Sequence, residues 1–78
     1  MKLPRGVSGE RVVRALERLG YEVLRQKGSH ARLRYPGPPP HSISVPQHDS
    51  LKVGTLHGIL MEVSQRIGVD IEAITKLL

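Results

Sequence analysis

A chain of 78 residues with no cysteine has neither a disulfide framework nor a thiolate metal cage to staple it. Its fold must therefore rest on one hydrophobic core made by packing helices on a sheet. The length suits a single domain over residues 1–78 and leaves no room for a separate cofactor module. Hydrophobic residues are 38% and charged residues 24% of the chain, a globular balance. No apolar run approaches the roughly 18 residues that a membrane span needs. Met1-Lys2-Leu3-Pro4-Arg5-Gly6 lacks the apolar stretch of a signal peptide, so a cytoplasmic setting without membrane association is expected.

The periodicity of apolar residues places the elements of that core. Ser8 is a good N-cap, Val7 and Val12 are spaced as a hydrophobic staple, and Glu10 suits the positive end of a helix dipole. Val12, Leu16 and Leu19, widened by Val13 and Ala15, then predict a helix over 9–19 that stops at Gly20. An extended segment from Tyr21 to Lys27, a turn at Gly28-Ser29 and clean alternation from His30 to Tyr35 predict a hairpin. Pro36-Gly37-Pro38-Pro39-Pro40 cannot lie in a central strand, because proline has no amide donor. It is expected to be a stiff exposed link to a third strand at 41–46, closed by Pro46. Leu56, Ile59, Leu60, Val63 and Ile67 predict a second helix over 53–66 ending at Gly68. Asp70 is placed to cap a short last helix that carries Ile71, Ile74 and Leu78 on one side. The result is an α+β, two-layer arrangement: a helix, a three-stranded antiparallel meander, a helix and a short C-terminal helix, with the helices covering one face of the sheet.

Charge is concentrated in the first half. Residues 1–36 hold nine Lys/Arg against three Glu, net +6, whereas residues 37–78 hold three against four acids, net −1. Such a field favours a polyanion or an acidic protein, although a solvated arginine-rich surface accounts for the charge alone equally well. Strand alternation sharpens the picture, since Ala31, Leu33 and Tyr35 share one face and His30, Arg32 and Arg34 the other. With Ile43 and Val45 inward, Ser42 and Ser44 join the basic face. The first strand is ambiguous: if Tyr21 and Val23 point inward, Leu24 is left outside while Arg25 and Lys27 fall on the covered side. Tyr21 and Tyr35 are the only aromatic residues, so nucleic-acid contacts should go to phosphate and sugar rather than stacked bases.

The sequence offers few sites for chemistry. His30, His41, His48 and His57 are widely spaced and lack an HExxH pattern or a cysteine partner, so no metal site and no cofactor are expected. Gly54-Thr55 lacks the signature of a phosphate loop. Ser29 adjoins His30, but neighbours on a strand point to opposite faces, which disfavours a nucleophile-base pair. What remains is Arg25-Gln26-Lys27-Gly28-Ser29-His30, an imidazole just after a glycine turn and flanked by cations that favour its neutral base form. A plain hairpin turn followed by an exposed histidine is the competing reading.

This segment, followed by Val45-Pro46-Gln47-His48 and Lys52-Val53-Gly54-Thr55-Leu56 in that order, resembles the HicA-type toxins, small messenger-RNA endonucleases of toxin-antitoxin systems. The resemblance implies a double-stranded-RNA-binding-domain-like fold and a type II toxin that inhibits translation by histidine-dependent, metal-independent RNA cleavage. It also implies a HicB-type antitoxin partner, acidic where it meets residues 1–36. Its catalytic histidine matches His30. His48 and Lys27 are the accessory catalytic candidates, and Arg25, Lys27, Ser29, Arg32 and Arg34 are the RNA-binding candidates. The loop at 36–41 is richer in proline than the family's usual link, and Ala31 stands where members often carry a bulkier or polar residue. A non-catalytic double-stranded RNA-binding module using the same basic surface is the alternative, and a protein that only binds its antitoxin is a third possibility.

Overall fold

The structure, a computed structural model, describes residues 3–78; Met1 and Lys2, which enter the amino-terminal reading and the charge count, lie outside the described residues. The order is α1 (Gly9–Arg18), β1 (Glu22–Lys27), β2 (His30–Tyr35), β3 (His41–Pro46), α2 (Val53–Ile67) and α3 (Ile71–Thr75). The strands form one antiparallel sheet in the order β1-β2-β3, so the hairpin strand β2 is central. This is the expected α+β layout, consistent with the double-stranded-RNA-binding-domain-like arrangement. No helix among the described residues is long and apolar enough to cross a membrane.

Both ends of α1 follow from local chemistry. The Ser8 hydroxyl accepts a hydrogen bond from the Arg11 amide at 3.1 Å, and Val7 and Val12 are both buried, completing the cap and the staple. At the other end Gly20, at φ +107°, sends its amide to the Glu17 carbonyl while Tyr21 sends its own to Leu16, the paired bonds of a Schellman stop. Asp70 holds the N-cap position of α3, but its carboxylate makes no capping bond, so the cap expected there is positional only. Ile74 is nevertheless buried, and Ile71 and Leu78 pack against the core beside it.

The core lies between the inner face of the sheet and the helices: Ala31, Leu33, Ile43 and Val45 from below meet Val12, Leu16, Leu56, Leu60 and Val63. Close approach of α1 to the end of β3 is possible only because residue 9 is glycine. A β-carbon there would fall on the Pro46 carbonyl oxygen and press on the Gln47 α-carbon, both backbone atoms that cannot swing away. Gly9→Ala is therefore expected to destabilise by about 1–3 kcal/mol despite alanine's better helix propensity. Gly58→Ala in α2, where nothing lies within 4 Å of the new carbon, should instead stabilise by up to about 1 kcal/mol. Denaturant midpoints of the two variants would check this opposition; a shared sign would refute the close approach.

A second long-range tie joins the ends of the sheet to the proline link. Tyr21 and His41 are 2.6 Å apart through Oη and Nε2, and His41 Nδ1 lies 3.1 Å from the Pro39 carbonyl. A carbonyl can only accept, so Nδ1 carries a proton, and Nε2 is the nitrogen that meets the Tyr21 hydroxyl. Tyr35 closes this aromatic cluster, its ring 5.1 Å from Tyr21 and 5.4 Å from His41. Burial first, then the negative fields of Glu62 and Tyr35, partly opposed by Arg66, push the Tyr21 phenol from 10.0 up to about 12. The folded state thus holds this proton more tightly than the unfolded chain does. Its stabilising contribution is complete below about pH 10 and is lost as pH rises through about 12. Tyr21→Phe should lack that component of alkaline destabilisation, which pH-dependent denaturation of the two proteins would measure.

Candidate nucleic-acid interface on the open sheet face

Alternation along β2 leaves His30, Arg32 and Arg34 exposed on the face away from the helices, while Ala31 and Leu33 on the other side are fully buried. Ser44 of β3, paired with Arg32, stands beside them, and Ile43 and Val45 are buried as expected. The first strand departs from simple alternation. The pairing runs Val23 with Leu33 and then Arg25 with Arg32, so Leu24 is an extra residue, a β-bulge. One inserted residue reverses the phase of everything after it. Arg25 and Lys27 therefore do not lie on the covered side, as uninterrupted alternation from Tyr21 and Val23 would place them; they stand opposite Arg32 and His30 on the open face. Leu24 is left 53% exposed, and Val23, on the edge strand β1 but facing the same side as Leu33, 41% exposed.

The open face is thus built in rows. Lys27, His30 and Pro46 form the row nearest the hairpin turn, Arg25, Arg32 and Ser44 the next, and Glu22, Arg34 and Ser42 the third. Arg25, Lys27, His30, Arg32 and Ser44 line an open depression of about 350 Å³. Arg34 is one row away, opposite an acid, and His48, exposed beyond β3, is not among the lining residues. The backbone of His48 has a structural task, its carbonyl accepting the Gly9 amide at 3.0 Å.

Directly opposed like charges such as Arg25 and Arg32 repel across a sheet. Among the described residues the ion pairs are Arg14 with Glu10 and Arg66 with Glu62, so no carboxylate relieves the cations of the depression. An anion seated there would. The Arg32 guanidinium donates to the Ser44 hydroxyl at 3.2 Å, which holds it over the depression. Ser44 could have been added to the candidates from the sequence, because its alternation with Ile43 and Val45 puts it on Arg32's face. Among the described residues no three His, Asp or Glu side chains gather as a metal cluster.

Ser29 sits in the turn expected at Gly28-Ser29, so the opposite-face rule for strand neighbours does not set it apart from His30. It lies in the two-residue turn after Gly28, which has φ +58°, and from there its hydroxyl reaches to 3.4 Å from His30 Nδ1. Opposite-face alternation does not apply outside the strand.

The family model described as HicA toxin of bacterial toxin-antitoxin matches residues 9–64, from the start of α1 into the last turns of α2. The chain belongs to the HicA toxin family. Every candidate residue of the open face falls within the matched span, and α3 lies beyond it. Membership assigns this HicA-family protein the toxin role of a toxin-antitoxin system and implies an antitoxin partner. No curated protein and no solved structure matches the chain.

Proposed function

We propose that this protein is the toxin of a type II system and acts as a metal-independent endoribonuclease on messenger RNA, with residues 1–78 working as one toxin domain. The reading is carried by one observation: an exposed imidazole, His30, set among Arg25, Lys27 and Arg32 in a depression without a carboxylate. His30 takes the proton of an RNA 2′-hydroxyl as that oxygen attacks the adjacent phosphorus. The bond to the 5′ oxygen breaks, leaving a 2′,3′-cyclic phosphate on one product and, once that oxygen is protonated, a 5′-hydroxyl on the other. Arg25 and Arg32 hold the phosphate and offset its growing charge, and Lys27, paired across from His30, is the nearest accessory group. His48 keeps an accessory role only as a residue to test by substitution.

The need for a 2′-hydroxyl confines cleavage to RNA. General acid-base help supplies ~10²–10⁴ in rate, so a slow nuclease is expected, and slow cleavage still arrests translation because intact messages are limiting. The partner is a HicB-type antitoxin, acidic where it meets the basic half and covering His30, and the setting is cytoplasmic. Incubating the protein with labelled RNA in EDTA tests the activity. Products support the nuclease, binding without products supports the non-catalytic double-stranded RNA-binding alternative, and neither leaves a protein that only binds its antitoxin.

The rows of the sheet add a graded prediction. Arg32→Ala should weaken binding across all RNA sequences and reduce the salt slope by about one. Arg34→Ala, opposite Glu22, should reduce it less. Titrations at several salt concentrations would measure both, and an unchanged slope for Arg32→Ala would move the binding surface elsewhere.

A further inference from the structure

We infer that Ser29 is a positioning residue, whose hydroxyl accepts the Nδ1 proton of His30 and so leaves the Nε2 lone pair free to act as the base; this rests on the nuclease reading above. A neutral imidazole carries one proton, and the nitrogen that keeps it is decided by the partner of that nitrogen. The Ser29 hydroxyl lies 3.4 Å from His30 Nδ1, at the long end of hydrogen-bond range. If it accepts there, its own proton stays free to turn toward a phosphate oxygen. If it donated instead, the ring proton would sit on Nε2 and no lone pair would be left to take the proton of the 2′-hydroxyl.

Ser29 is held in place for this. Its carbonyl accepts the Gln47 amide at 2.6 Å, which ties the hairpin turn to the chain just after β3. The same turn is closed by the Lys27 and His30 pair, with Gly28 at φ +58° supplying the bend. Ser29 is exposed, so its substitution removes no core contact and should leave the fold intact.

The test combines a spectrum with kinetics. In protein carrying ¹⁵N-histidine, the ring signals of His30, assigned by their loss in His30→Ala, report which nitrogen is protonated at a pH where the ring is neutral. The expected result is an Nδ1-protonated ring in the parent, a shift toward the Nε2-protonated form in Ser29→Ala, and the parental form in Ser29→Thr. RNA cleavage should follow, with kcat about tenfold lower in Ser29→Ala, KM unchanged, and the rate restored in Ser29→Thr. An identical tautomer in parent and Ser29→Ala would overturn the inference, as would a tautomer shift with kcat unchanged. A raised KM with kcat and tautomer unchanged would make Ser29 an RNA contact instead. If the parent cuts no RNA, the nuclease reading fails by itself, and the spectra still decide whether Ser29 holds the ring.

Discussion

Replacing His30 by alanine is expected to lower RNA cleavage by ~10²–10⁴ while leaving both the fold and RNA binding in place. The separation follows from position. His30 is exposed on the open face, so its removal leaves no cavity and should change stability by no more than about 0.5 kcal/mol. On the proposed reading phosphate is held mainly by Arg25, Lys27 and Arg32, which line the same depression and remain in the variant. Cells should accordingly tolerate expression of His30→Ala without antitoxin. Cleavage assays beside thermal unfolding would check it: a variant that unfolds would mean a structural histidine, and one that cuts at the parental rate would pass the role of base to another residue, His48 first.

Leu33→Ala should do the opposite, removing the fold rather than the chemistry. Leu33 is fully buried under the sheet, paired with Val23 on one side and Ile43 on the other. Emptying such a site costs about 2–5 kcal/mol. Small domains have only about 5–15 kcal/mol in total, and a chain of 78 residues without cysteine belongs near the bottom of that range. Arg32→Ala, one residue away on the other face, should stay within about 0.5 kcal/mol of the parent. Denaturant unfolding of the two neighbours is therefore expected to differ by several-fold in effect. Comparable losses would mean that the two faces of β2 are not divided between core and site.

Most of the architecture was readable from local pattern, because local chemistry decides it. Ser8 and Gly20 bound α1 through bonds to residues within a turn, Gly28 and Ser29 set the hairpin, and the period of two from His30 to Tyr35 separates the core face from the basic face. Proline at 46 and glycine at 68 end their elements because one lacks a donor and the other takes a left-handed backbone. The basic face itself was visible in part, as His30, Arg32 and Arg34.

What the pattern could not reveal is whatever depends on a partner distant in sequence. Alternation leaves the side of Arg25 and Lys27 open, covered if Tyr21 and Val23 point inward; only the hydrogen bonding of β1 to β2 shows that Leu24 is skipped, which turns both cations onto the open face. No residue type in Glu22–Lys27 announces that bulge, since it exists only as a mismatch between two strands. The pairing of Tyr21 with His41, the seat of Gly9 against Pro46, and the tie from Gln47 to Ser29 are of the same kind. Each joins groups from different elements, so it is decided when the core packs and brings them within a few ångströms. A one-dimensional pattern carries the preferences of each segment, and the tertiary structure chooses among them by which contacts can be satisfied together.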